Sequence, residues 1–264
     1  MADDLPAGLR AALEARGAAV ERVVHEPPRR FVHAGAWFGR TTSDPGDEPR
    51  LAHEAVVRAQ VGQALPLRAP AIMAQGPGWS LEPRLDGGRP RGRTAVEAVV
   101  AAALELPRRP LPAVPAAPAG EPGGTRGRAV RLARMARAGV RPADLARARR
   151  TWRTTRLPGV PAHGDFHTNN IIAAADGPWV VDWELCGERP LGTDLLTLWT
   201  TLAEPADRAL VLDAARRQAG PARARDLDDL RHALVVRTLA AAVDPEPGGV
   251  GDAAVLRALL RELR

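Results

Sequence analysis

The segment from Val160 to Leu198 concentrates side chains of the types that do chemistry. It opens with His163-Gly164-Asp165-Phe166-His167-Thr168-Asn169-Asn170, continues through Ile171-Ile172, and after Trp179-Val180-Val181 delivers Asp182-Trp183-Glu184. Carboxylates and a carboxamide are hard oxygen donors. Magnesium takes such donors, usually one or two carboxylates completed by phosphate and water. Phosphoryl transfer from ATP needs that cation, and it needs a carboxylate that orients the acceptor hydroxyl and takes its proton. Asp165, Asn170 and Asp182 supply these parts.

Two short strands must bring the three together. Ile171-Ile172 and Trp179-Val180-Val181 are apolar runs separated by Ala175-Asp176-Gly177-Pro178, a turn sequence. A hairpin sets the start of its first strand beside the end of its second. Asp165 and Asn170 precede the first strand and Asp182 closes the second, so the spacing predicts convergence despite 17 positions between the two acids.

Further out, residues 4–16 read as a short helix stopped by Gly17. Three short strands follow around Val20–Val24, Arg30–His33 and Ala36–Thr42, joined by tight turns as an antiparallel meander. Residues 50–61 turn helical, and Ala71-Ile72-Met73 and Trp79-Ser80-Leu81 are two more short apolar pieces. Beyond Gly87-Gly88 the pattern is helical: residues 94–106, with Thr94 as the expected cap and Glu97 three positions on, then 125–138, 142–152, 206–219, 226–243 and 251–263. Residues 107–124 hold six prolines and read as a solvated loop or spacer.

The order HGDFHTNN, then VVDWE, resembles the aminoglycoside phosphotransferase and choline kinase family, and His163-x-Asp165-x₄-Asn170 has the spacing of a kinase catalytic loop. The resemblance implies an α+β, bilobal protein-kinase-like fold, with a small antiparallel-sheet lobe over residues 1–83 and a mostly helical lobe over 84–264. It implies ATP and magnesium as cofactors, a small-molecule hydroxyl as acceptor, Asp165 as base, and Asn170 and Asp182 as metal ligands. Asp194 of Gly192-Thr193-Asp194-Leu195-Leu196 is expected to anchor the catalytic loop. Glu54 falls where the family's N-lobe helix carries a glutamate, and Arg40 falls where it carries the ATP-binding lysine. Arg40 departs from that pattern, because a planar guanidinium is larger than an ammonium and not its equivalent. His25-Glu26-Pro27-Pro28 stands where a glycine turn would cover the phosphates, and Leu81–Leu85 resembles the hinge that meets adenine.

Composition bounds the alternatives. The chain has 264 residues, 45% of them hydrophobic and 26% charged, an ordinary globular balance. All 37 basic residues are arginine, tyrosine is absent and aromatics make up 3%; together with abundant alanine, glycine and proline this reads as a coding bias. A net charge of +6 without interleaved aromatics is weak evidence for nucleic acid as partner, although the arginine-rich helices over 126–156 keep that reading open. A catalytically silent, pseudokinase-like binding protein is the other alternative, motivated by the missing lysine and glycine turn. No apolar run is long enough to span a bilayer, the N-terminus has no apolar signal core, and a lone Cys186 fits a reducing cytoplasm. His163 and His167 could suggest a transition-metal pair, but no third ligand is spaced for it. Asp226, Asp228, Asp229 and Asp244 could form an acidic acceptor pocket.

Overall fold

A computed structural model describes residues 4–26, 29–62, 66–109, 132–243 and 251–264. Five strands form one antiparallel sheet: β1 (Arg22–Glu26), β2 (Arg29–Ala34), β3 (Trp37–Thr42), β4 (Ala74–Gly76) and β5 (Trp79–Pro83), in the order β1-β2-β3-β5-β4. Alternation along the strands gives the sheet two faces. Val32, Ala34 and Leu81 are buried with Leu9 and Leu13 of α1 (Ala7–Glu14). Gly39 sits under this helix, where a Cβ would lie 3.3 Å from Leu9 Cδ1 and from Val32 Cβ. The other face carries Phe31 opposite Arg40 and His33 opposite Phe38.

Helix α2 (Glu48–Val61) buries Leu51, Glu54, Val57, Arg58 and Val61. Thus a helix of ordinary amphipathic spacing carries two ionised side chains inward, a costly arrangement unless they are paired. Helix α3 (Arg93–Glu105) begins one residue before the expected start. Its N-cap is Gly92 rather than Thr94, with no side-chain cap, and Glu97 instead pairs with Arg93 at 2.9 Å. The proposed capping box fails because the chain turns at Gly92 in a positive-φ conformation (φ 78°), which places Thr94 inside the first turn.

The remaining helices are a helical stretch over 132–137, α4 (Pro142–Thr154), α5 (Thr193–Thr201), α6 (Pro205–Ala219), α7 (Ala224–Ala242) and α8 (Ala253–Glu262). Eight of the nine residues of α5 are buried. The second and larger core gathers α3 to α8 around Phe166, Trp183, Leu195, Leu196 and Leu234. Two short strand pairs complete the fold: β6 (Gly159–Ala162) with β9 (Gly187–Pro190), and β7 (Ile171–Ala174) with β8 (Gly177–Val180). The β7–β8 hairpin was expected; the β6–β9 pair, which brackets it, was not. The strand expected at Ala71–Met73 begins instead at Ala74. Pro27 and Pro28 of the expected phosphate-covering turn, residues 110–131 and Asp244 lie outside the described residues. No helix among the described residues is long and apolar enough to cross a membrane.

Candidate active site

The catalytic-loop segment is fixed from below by one carboxylate. Asp194, near the start of α5, accepts the backbone N–H of His163 at 2.7 Å and of Gly164 at 3.0 Å. Burial pushes Asp194 up from the usual carboxylate range, against the pull of His163 and the two amides. Gly164 has φ 82°, and a Cβ there would meet the Leu185 carbonyl oxygen at 2.4 Å. Only glycine fits this left-handed position pressed against another backbone. His163 accepts the Asp165 N–H at Nδ1 (3.3 Å), and its Nε2 lies 3.0 Å from Val181 O. Fully buried, it is held below its ordinary pKa by desolvation, so it serves as a neutral bridge from the loop to the residue preceding Asp182.

Around Asp165 the contacts are close. Asn170 Nδ2 donates to the Asp165 carbonyl at 3.0 Å and lies 3.4 Å from Oδ2. His167 accepts Asn169 N–H at Nδ1, which leaves Nε2 as the donor to Asp165 Oδ2 at 3.2 Å. Arg237 of α7 donates from Nη2 to Gly164 O at 3.0 Å and sits 3.5 Å from Asp165 Oδ1. Burial pushes the Asp165 carboxyl up, but the hydrogen bond from His167 and the charge of Arg237 outweigh it and hold Asp165 below the usual range. Both imidazoles are therefore engaged within the loop, and among the described residues no three His, Cys, Asp or Glu side chains group to hold a metal.

Asp182 is the one described non-glycine residue with positive φ (65°). Strain of this kind costs about 1–3 kcal/mol and is retained where the surroundings dictate it. Val181 N donates to Asn170 O at 3.0 Å, which ties the two candidate metal ligands together through the backbone. Asn170 turns its amide nitrogen to Asp165, so Oδ1, the atom a cation requires, is not the one engaged there. Asp182 meets Arg40 through Oδ1 at 3.1 Å, and its other oxygen has no protein partner among the described contacts. Two oxygens at the mouth of one cleft thus fit a magnesium ion completed by phosphate and water.

The sheet supplies the cations. Arg40 of β3 donates from Nη2 to Glu54 Oε1 at 2.8 Å and from Nη1 to Asp182 Oδ1. Glu54 also takes Arg58 Nη1 at 3.2 Å and lies 3.4 Å from the Trp183 N–H, so one buried carboxylate of α2 gathers two guanidinium groups and the backbone beside Asp182. Burial alone would raise Glu54, but Arg40 and Arg58 drive it down to about 2. Sequence reasoning missed Arg58, which also pairs with Glu82 of β5, and Arg29 of β2. Arg29 forms a two-point pair with Asp47 (2.6 and 2.8 Å), contacts Glu184, and holds Nη1 4.0 Å from Asp182. Arg29 follows directly on the Pro27-Pro28 turn, and that position next to the expected phosphate cover was the available signal.

Between the sheet and the β7–β8 hairpin lies a cleft of about 370 Å³ lined by Arg29, Phe31, Phe38, Arg40, Asn170 and Asp182, among others. Phe31 and Phe38 stack at 5.9 Å between centroids, and Leu85, Ile172 and Val181 add apolar wall. Such a crevice, apolar at one end and charged at the other, suits a nucleotide.

Residues 23–227 match the phosphotransferase enzyme family, APH. The chain belongs to that family. Its fold is the protein-kinase-like α+β fold. Across 73 residues, 28% of this chain and 26% of the relative, it is 33% identical to thiamine kinase of Escherichia coli (strain K12), so the match spans about a quarter of that protein. Over 98% of this chain and 96% of the other, it superposes on the streptomycin–ATP–APH(2")-IIa ternary complex, with TM-score 0.58 and 12% identity. A choline/ethanolamine kinase family protein from Mesorhizobium loti is matched over 100% of this chain and 94% of the other, with TM-score 0.58 and 16% identity. These two likenesses are likenesses of fold.

Proposed function

We propose that this phosphotransferase moves the γ-phosphoryl group of ATP to a hydroxyl of a small molecule, in a crevice between a lobe formed by residues 1–83 and one formed by residues 84–264. The observation that carries the reading is the chain of bonds from Asp165 to Asn170 (3.0 Å) and from Asn170 O to the N–H of Val181 (3.0 Å), the residue before Asp182, with Asn170 and Asp182 lining a cleft that also holds Arg40. Phe31 and Phe38 offer a surface for the base, and the charged end takes the phosphates. Asn170 and Asp182 hold magnesium, whose part is to offset the negative charge of the phosphates during transfer. Arg40, locked by Glu54, presents a fixed guanidinium to the phosphates through charge-assisted hydrogen bonds, in the role the family gives to lysine. Asp165 orients the acceptor hydroxyl and takes its proton. With its pKa below the usual range it is ionised at neutral pH, and His167 and Asn170 keep it in one orientation.

The test is release of ADP from Mg-ATP across a panel of hydroxyl compounds, with Asp165→Asn as the control. Turnover should fall by about 10²- to 10⁴-fold in the variant, with Mg-ATP affinity retained. An unchanged rate removes Asp165 from the mechanism. The silent-binder reading has one observation in its favour, the Arg40–Asp182 bond that engages a metal ligand. It predicts nucleotide binding with no transfer to any acceptor.

A further inference from the structure

The cleft residues serve the nucleotide; the other side of Asp165 must serve the acceptor. Two helices adjoin the loop outside that cleft: the buried α5 beneath it and α7, which reaches it through Arg237. From Thr193 to Thr201, α5 carries one charged residue, Asp194, and it is buried on the His163 and Gly164 amides. From Ala233 to Ala242, the half of α7 nearest the loop, the one charged residue is Arg237. Its side chain is 40% exposed, it does not line the nucleotide cleft, and among the described contacts only Nη2 is engaged, on Gly164 O and Asp165 Oδ1. The remaining N–H groups of a guanidinium fork are thus available beside the reacting centre, in the geometry that pairs with a carboxylate or phosphate.

Of the four acids that could have formed a cationic-acceptor pocket, the three among the described residues are placed elsewhere. Asp226, Asp228 and Asp229 sit at the opposite end of α7, about 12–17 Å along its axis from Arg237. Asp229 is paired with Arg147 at 2.7 Å and Asp228 with Arg231 at 3.3 Å. A polycation brought to Asp165 would face Arg237 Nη2, 3.5 Å from the carboxylate, and among the described residues of α5 and α7 no free carboxylate stands beside it.

We propose that Arg237 is an acceptor-recognition residue and that the acceptor carries an anionic oxygen group, a carboxylate or a phosphate ester, close to its reacting hydroxyl. This rests on the phosphotransferase mechanism proposed above. In the step itself, the acceptor oxygen bonds to the γ-phosphorus and the bond from that phosphorus to the β-phosphate oxygen breaks, its electron pair leaving with ADP. The hydroxyl proton passes to Asp165.

A small-molecule cell extract, split by ion exchange into anionic, neutral and cationic fractions, supplies the probes. Each fraction is incubated with the full chain and ATP labelled in the γ-phosphate. Label should enter the anionic fraction. Prior treatment of that fraction with alkaline phosphatase, then removed, separates the two sources: a carboxylate acceptor survives it and a phosphate ester does not. Arg237→Gln should raise KM for the labelled acceptor about 10- to 100-fold, with Arg237→Lys recovering part of the loss and Mg-ATP affinity unchanged in both. A merely structural role would move kcat and nucleotide affinity together. Labelling of the cationic or neutral fraction, or an Arg237→Gln variant with unaltered KM, overturns the acceptor assignment. So does Mg-ATP binding with no fraction labelled. Failure to bind Mg-ATP at all overturns the underlying mechanism instead.

Discussion

The two sides of the cleft are held by different means. On the loop side, Asp165, Asn170 and Asp182 are placed largely by backbone: Asp194 on two amides, His163 on Val181 O, Val181 N on Asn170 O, and Gly164 pressed against Leu185 O. On the sheet side, position is set by charge. Glu54 is shared by Arg40 and Arg58, Glu82 pairs with Arg58, and Arg29 lies between Asp47 and Glu184. Backbone anchoring tolerates few substitutions because it depends on conformation. A charge network tolerates a change of cation, here arginine where the resemblance leads one to expect lysine, provided every buried charge keeps a partner. That contrast fits a loop whose HGDFHTNN and VVDWE segments resemble the family and a sheet whose Arg40 does not.

The contrast can be broken in three ways, in order of expected effect. Glu54→Ala strips two buried guanidinium groups of their shared partner and should destabilise the protein by about 3–5 kcal/mol, measured by urea unfolding. Combining it with Arg40→Met should recover part of the loss if charge pairing is the cause; equal instability of the double variant would show that packing dominates. On the loop side, Gly164→Ala forces a Cβ against the Leu185 carbonyl oxygen at positive φ and should cost about 1–3 kcal/mol, with turnover falling further because Asp165 moves with its neighbour. A stable and fully active alanine variant would remove the conformational argument.

The third effect appears only in acid. Glu54 is at about 2 in the folded protein against an ordinary 4.5, so the folded state binds fewer protons than the unfolded chain between those values. Its contribution is therefore complete above pH 4.5 and is lost as pH falls toward 2. Unfolding free energies measured from pH 5 to 2 should fall less steeply for Glu54→Gln than for the wild-type chain; parallel curves would place the acid sensitivity elsewhere.

What could be read without coordinates was local. The HGDFHTNN and VVDWE segments predict a hairpin from apolar runs and a turn, and residues so close in sequence have little freedom to be anywhere but together. The meander and the helix bearing Glu54 follow from periodicity. Whether their charges meet does not, because a 2.8 Å contact between Arg40 and Glu54 depends on how a helix docks against a sheet. The β6–β9 pair is not legible in the sequence, since four-residue strands such as Gly-Val-Pro-Ala carry no alternation.

The sequence by itself determined the chemical inventory: which residues donate hard oxygens, in which order, and that one cation position holds arginine. Tertiary structure decided the partnerships. Arg29 reaches Glu184 across 155 positions and Arg237 reaches Asp165 across 72, distances in sequence over which residue type predicts nothing about contact. The physical reason is that a charge buried by folding must find its counterion among whatever elements the core brings alongside it, and that choice is made by packing of the whole chain.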